Sequence, residues 1–416
     1  GANNVAIGIN ALNGNTTGSY QIAIGRNALL NSDGVDKNVA VGYNTLQAVT
    51  TGNNNIGIGY VAADAITTGS ANTCIGSSAG SALTTASNNT IVGSDAGKNA
   101  TTGLADSVLI GFQAGSSGSM AAYTVGIGYN ALYSNTGNEN TAVGYNAMFA
   151  NTTGVRNTAL GLQALDANTT ASDNTAIGHN TLTSNTTGTR NTAVGAGALI
   201  TNTASDNVAV GYNSLDTCST GSNNTSIGTE AMDACTTGSA NVAVGYRTLD
   251  ALTTASNNTC VGQAAGGAIT TGANNTIVGK AAGSSLTTGG NCILIGKEAN
   301  VSGSNNDELV IGNSISGIGN NTGLIYPPGG GSMYQATNAT TWAQTSDRRI
   351  KKNIVDNNNG LTKLQDIQIR NFEYRTEEEV TELPSHLAVK QEGIQLGVIA
   401  QEIEKVLPEV VVTESS

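Results

Sequence analysis

The sequence predicts an all-β chain: a parallel β-solenoid, or β-roll, of about nineteen 17-residue coils, followed by a small α+β C-terminal domain. Three observations carry this. A glycine preceded by Ile, Val or Leu recurs nineteen times from Gly8 to Gly312, and fourteen of the eighteen intervals are seventeen residues, three sixteen and one eighteen. Core-filling residues are small, with three Phe and one Trp in 416 residues, which suits a narrow stacked core better than a conventional globule. Charge then rises abruptly: residues 1–346 carry 8 Lys+Arg and 16 Asp+Glu, whereas 347–416 carry 9 and 13.

Each coil is read from its glycine, taken as position zero. Position −4 is mostly Asn, as at Asn4, Asn38, Asn55, Asn140 and Asn157. Position −3 is Val, Ile or Thr, position −2 mostly Ala, and position −1 always Ile, Val or Leu. This is a short β-branched strand closed by a glycine turn. Positions −3 and −1 share one face, and Ala at −2 faces a side where only a small group fits. A second apolar stretch at +3 to +7, such as Ala131-Leu132 and Ala198-Leu199, is read as a second strand. Thr-Thr-Gly at +8 to +10, in nine copies, closes the coil. All four prolines lie beyond Gly312, so none interrupts the ladder. With strands about 4.8 Å apart, nineteen coils make a rod of roughly 90 Å.

The boundaries follow from composition: 1–313 is the repetitive shaft, 314–345 a neck marked by Pro327, Pro328 and Gly329-Gly330-Gly331, and 346–416 the C-terminal domain. The chain starts part-way into a repeat, so its natural N-terminus is expected upstream. A net charge of −12 excludes a phosphate grip on nucleic acid. No apolar run is long enough for a membrane span. No cofactor or metal motif is present, and the calcium-binding Gly-Asp nonapeptide is absent. The thin core calls for a side-by-side partner, and a homotrimer would bury a second apolar face.

Asn-Val-Ala-Ile-Gly at 4–8 and Asn-Thr-Ala-Val-Gly at 140–144 and 191–195 resemble the head repeat of trimeric autotransporter adhesins. That resemblance implies left-handed parallel β-rolls that trimerise along the rod, although the unit here is longer than the adhesin one.

The C-terminal segment reads differently. Leu361, Leu364 and Ile367 have helical spacing, Phe372 and Tyr374 alternate as in a strand, and 397–407 is a strand or turn running into a short helix stopped before Pro408. The blocks Ser346-Asp347-Arg348-Arg349-Ile350-Lys351-Lys352-Asn353-Ile354 and Gly397-Val398-Ile399-Ala400-Gln401-Glu402-Ile403-Glu404 resemble the intramolecular chaperone domain of phage tailspikes, tail fibres and endosialidases. The resemblance implies a domain that assembles the trimer and then cleaves itself off at Ser346–Asp347, with Ser346 as nucleophile and Lys351 as its base. Members of that family continue into a further C-terminal helix past the position of Ser416. A hydroxyl attacks poorly until a base removes its proton, and a desolvated Lys can do so. The bland alternative is a turn or cap at Ser346-Asp347 and a solvated Lys351.

Tyr43, Tyr60, Tyr129, Tyr145, Tyr212 and Tyr246 all occupy +1; the first four are candidate glycan contacts, with packing beside the turn as the alternative. Cys218 and Cys235 share phase +7 in adjacent coils, where Val49, Ile66 and Leu83 also sit, so core filling is favoured over a disulfide. Asn-x-Thr at Asn15, Asn151, Asn168 and Asn185 is a by-product of the repeat. His179 and His386 lie too far apart in sequence to suggest a joint site. The reading is a structural and adhesive homotrimeric fibre, a viral tail fibre or related surface fibre on the virion tail or cell exterior, which presents its face to a host-surface glycan or receptor. At most it performs one self-cleavage. The alternatives are a bacterial autotransporter-type adhesin, marked by a downstream membrane barrel; a tailspike that degrades polysaccharide; and an ice-binding solenoid.

Overall fold

The computed structural model describes residues 1–303, 306–327, 332–335, 343–344, 363, 365–373 and 393–407. It divides into two units, Gly1–Thr345 and Ser346–Ser416.

The first unit is a parallel β-solenoid. Eighteen three-residue strands run from β1 (Val5–Ile7) to β18 (Ile293–Ile295), and each pairs in parallel with the next. Equal phases pair throughout, so Thr158 meets Thr175 and Ala159 meets Ala176. The ladder continues through β19 (Glu308–Gly312) and β20 (Thr322–Tyr326), then turns antiparallel at β21 (Met333–Gln335) and β22 (Ala343–Gln344).

Beyond the terminal β1, which is exposed throughout, the strands alternate as the sequence requires. Ala23, Ala40, Ala142, Ala159 and Ala176 at −2 are fully buried, while −3 and −1 point outward. The outer row includes exposed Ile7, Ile22, Ile58, Leu160, Ile227, Val261 and Ile295. The core is one continuous column of Ala at −2, Ala and Leu or Met at +3 and +4, and small apolar groups near +7.

The expected second strand does not form. The Ala-Leu stretch is a run of turns in each coil from Gly8 to Gly279, because residues +2 and +4 both adopt left-handed backbone. Asn130 and Leu132 have φ of 54° and 56°, and Asn180 and Leu182 have 54° and 51°. Such residues cannot continue a pleat. The stretch still bonds along the rod, with Leu132 N–H donating to Ala147 O at 3.0 Å and Leu165 N–H to Thr181 O at 3.0 Å. The solenoid therefore has one strand per coil and a hydrogen-bonded turn column opposite it.

The glycine at zero is required by its backbone. At Gly161 φ is 144°, and a Cβ there would lie 2.3 Å from Gly178 O in the next coil. The −4 asparagines form a buried ladder. Asn157 Oδ1 accepts from Asn174 N–H at 3.0 Å, and Asn157 Nδ2 donates to Ala171 O at 2.9 Å. The same step repeats from Asn174 to Asn191 at 2.9 Å and from Asn224 to Asn241 at 3.0 Å. Buried polar groups need partners, and each amide satisfies one N–H and one C=O of the next coil's backbone. Threonine at +8 makes a third column: Thr236 Oγ1 donates to Thr253 O at 3.1 Å, and Thr253 Oγ1 to Thr270 O at 3.1 Å.

In the second unit, β23 (Arg370–Phe372) pairs antiparallel with β24 (Gln395–Gly397), and α1 (Ala400–Val406) follows. The helix ends at Val406 with Leu407 as its C-cap, just before Pro408, whose ring disfavours helical backbone in front of it. Leu361, Leu364 and Tyr374 lie outside the described residues.

Candidate functional site

Two regions bear on function: the outer surface of the shaft and the C-terminal segment. On the shaft, the strand-to-turn corner at +1 carries the tyrosines. Tyr43 and Tyr60 stack with ring centroids 5.3 Å apart and planes 9° apart. Tyr129 and Tyr145 stack at 5.1 Å and 8°, and Phe112 extends that column at 5.3 Å. The Arg26 guanidinium lies 5.9 Å from the Tyr43 ring centre. The cause is the coil rise, which sets equal phases about 4.8 Å apart, close to ring-stacking distance.

This geometry limits how the rings can act. Each stacked face is turned to its neighbour, so the columns offer solvent mainly ring edges. A sugar would meet edges and hydroxyls, not an open aromatic platform. Tyr212 and Tyr246 are exposed and separated by the coil of Thr229. Sequence reading missed a second aromatic column at +5, where Tyr133 and Phe149 stack at 5.0 Å and 12°. Phe112 and the second column were legible in the repeat phase, since aromatics stand at +1 and +5 of adjacent coils.

The charged residues of the shaft also stack by phase. At −5, Arg156 makes a two-point bond to Asp173 at 2.7 and 3.0 Å, and Arg190 does the same to Asp206 at 2.7 and 2.8 Å. The hydrogen bonds from Arg156 and Arg190 hold Asp173 and Asp206 below the usual carboxylate range. At +5, Asp216, Asp233 and Asp250 occupy three successive coils, and burial pushes all three upward. Among the described residues, no group of three or more His, Cys, Asp or Glu is placed to hold a metal. Asn151, Asn168 and Asn185 are fully buried, so the folded shaft hides their amides from any glycosylating enzyme.

Ser346, Asp347 and Lys351 lie outside the described residues, as does His386. Within the second unit, Arg370 on β23 grips Glu402 in the first turn of α1 at 2.9 and 3.0 Å. The Arg370 bonds hold the Glu402 carboxyl below its ordinary range. Glu402 belongs to the second sequence block, but nothing local announces a partner thirty-two residues upstream. Among the described residues, no helix is long and apolar enough to cross a membrane.

Residues 346–412 match the family model described as the chaperone of endosialidase. No curated protein and no solved structure matches the chain.

Proposed function

We propose that this chain, a parallel β-solenoid ending in a segment that matches the chaperone of endosialidase, is a homotrimeric fibre of the phage tail-fibre or tailspike type. The observation that carries the reading is the pairing of that C-terminal match with a long shaft whose outer Ile/Val/Leu row is exposed or half-exposed among the described residues. Side-by-side copies would cover that row and supply the second apolar interface that the narrow core lacks. In this reading the C-terminal segment sets the register of three near-identical repeat arrays, which are otherwise prone to slip. Cleavage then consumes one water and leaves a carboxylate on Ser346 and an amine on Asp347. Ser346 is the nucleophile and Lys351 takes its proton. Loss of the template traps the assembled fibre kinetically. The shaft is the adhesive part. Its aromatic columns at Tyr43/Tyr60 and Phe112/Tyr129/Tyr145 engage host glycan through edges and hydroxyls.

Mass and oligomeric state, measured together on wild type and Ser346→Ala, test this. The expected result is a wild-type trimer of chains ending at Ser346 beside an uncut Ser346→Ala trimer. Intact monomers for both would overturn the folding role and leave a single-chain solenoid to be explained.

A further inference from the structure

We propose that Cys218 and Cys235 are an oxidisable pair that closes into a disulfide between two adjacent coils of the shaft. Both occupy +7 and are fully buried, and their sulfurs are 3.7 Å apart, with the Cys235 thiol donating to Cys218 Sγ. Residues of equal phase in adjacent coils have Cα atoms about 4.8 Å apart. That lies inside the window a disulfide spans without backbone movement. Closure needs only side-chain rotation.

No other cysteine of the shaft has such a neighbour in the ladder. Cys74 pairs in register with Gly57 and Ile91, and Cys260 with Ala243 and Ile277. Burial pushes both of those thiols up to about 12, which suits inert core fillers. Cys292 continues the asparagine ladder after Asn275. By contrast, the bond from Cys235 lowers Cys218, so Cys218 is the thiol prepared to ionise first.

The position has its own logic. Column +7 is amide through Asn135, Asn151, Asn168, Asn185 and Asn202, and becomes apolar from Leu252 onward. At its end, Asn202 is buried with neither amide atom hydrogen-bonded. The cysteines fill the two coils that follow, where the polar column has stopped, and a covalent link there ties together the pair of coils next to the unsatisfied Asn202. The oxidant is a low-molecular-weight disulfide. The Cys218 thiolate attacks one of its sulfurs and expels a thiolate. Cys235, losing its proton, then attacks Cys218 Sγ and expels the second. Two protein thiols and one small disulfide become one protein disulfide and two small thiols.

The test is refolding of the full chain in glutathione disulfide, or in reductant, followed by unfolding, alkylation and peptide mass mapping. Reduced wild type is expected to alkylate at all five cysteines. Oxidised wild type should alkylate only at Cys74, Cys260 and Cys292, with a 218–235 cross-link lighter by two hydrogens. Oxidation should also raise its thermal midpoint. Cys218→Ser and Cys235→Ser should show four reactive thiols in both buffers and no midpoint shift. Serine is accommodated at this phase, as Ser32 donates to Leu29 O there at 2.8 Å. Five alkylated cysteines in oxidised wild type, or a cross-link joining different residues, overturns the proposal.

Discussion

At the scale of single residues, the core is built on a reciprocal exchange of volume between −2 and +4. Where −2 is Ala, +4 is Leu or Met, as in Ala142 with Met148 and Ala159 with Leu165. In five coils where −2 is larger, +4 is Gly: Cys74 with Gly80, Ile91 with Gly97, Leu109 with Gly115, Cys260 with Gly266, Ile277 with Gly283, whereas Leu294 near the end of the shaft stands with Asn300. A Cβ on Gly115 would lie 2.9 Å from Leu109 Cδ1, and one on Gly283 would lie 2.8 Å from Ile277 Cδ1. The two positions therefore compete for one space, which Cys74 and Cys260 fill as Ile91, Leu109 and Ile277 do. Leu109→Ala alone should cost about 2–5 kcal/mol as a cavity. Gly115→Leu alone should cost about 1–3 kcal/mol by overpacking. The double variant recreates the Ala/Leu arrangement of Ala159 and Leu165, so denaturant unfolding should recover most of both losses. Simple additivity of the two costs would refute the exchange. The left-handed backbone at +4 does not forbid this, since Leu132 already adopts φ of 56° there.

At the scale of one coil, the landmark glycine, the inward Ala and the −4 Asn were legible because each repeats at fixed phase. The turn column was not. Ala-Leu is compatible with strand or turn, and only Asn at +2, a residue tolerant of left-handed backbone, hinted at the answer. The tyrosine phase was equally legible, but the ring stacking came from the coil rise, which a sequence does not print. Stacking by phase also gathers charge. Asp216, Asp233 and Asp250 are held above the ordinary carboxylate range by burial, and at Asp216 also by the charge of Asp233. A carboxyl raised in the fold stabilises most when protonated. That contribution is complete below the unfolded pKa and is lost as pH rises through the folded one. Asp216→Asn/Asp233→Asn/Asp250→Asn should therefore melt above wild type at neutral pH, with the gap closing in acid. A gap that widens in acid would show that these carboxylates are instead stabilised in their charged form. Asp173, Asp206 and Glu402 carry the opposite sign: their contribution is present above the unfolded pKa and fades as pH falls through the depressed folded value.

At the scale of the molecule, the outward Ile, Val and Leu at −1, joined in some coils by Val or Ile at −3, form an apolar row along one face of the shaft. Single exposed hydrophobics are ordinary, but a row unbroken at −1 along a sheet face marks an interface. Ile177→Asp/Val194→Asp/Val210→Asp places three carboxylates in adjacent coils of that row while leaving every inward residue untouched. Analytical ultracentrifugation should show the proposed trimer lost or weakened at least tenfold, with the strand signal in circular dichroism kept. An unchanged trimer would move the interface to another face.

The in-register pairing of each coil with the next has a mechanical meaning. Among the described residues of the shaft, the parallel ladder bonds join residues about one coil apart in sequence, and no long-range contact there must break first when the shaft is pulled by its ends. It should surrender from the ends inward, one coil per event. Each event would release seventeen residues, or about 56–61 Å of extended chain. Single-molecule stretching should record a sawtooth of near-equal steps, with the sixteen- and eighteen-residue coils as slightly short and long teeth. Such a shaft is graduated along its own length, and it can dissipate a pull one mark at a time while the rest stays upright.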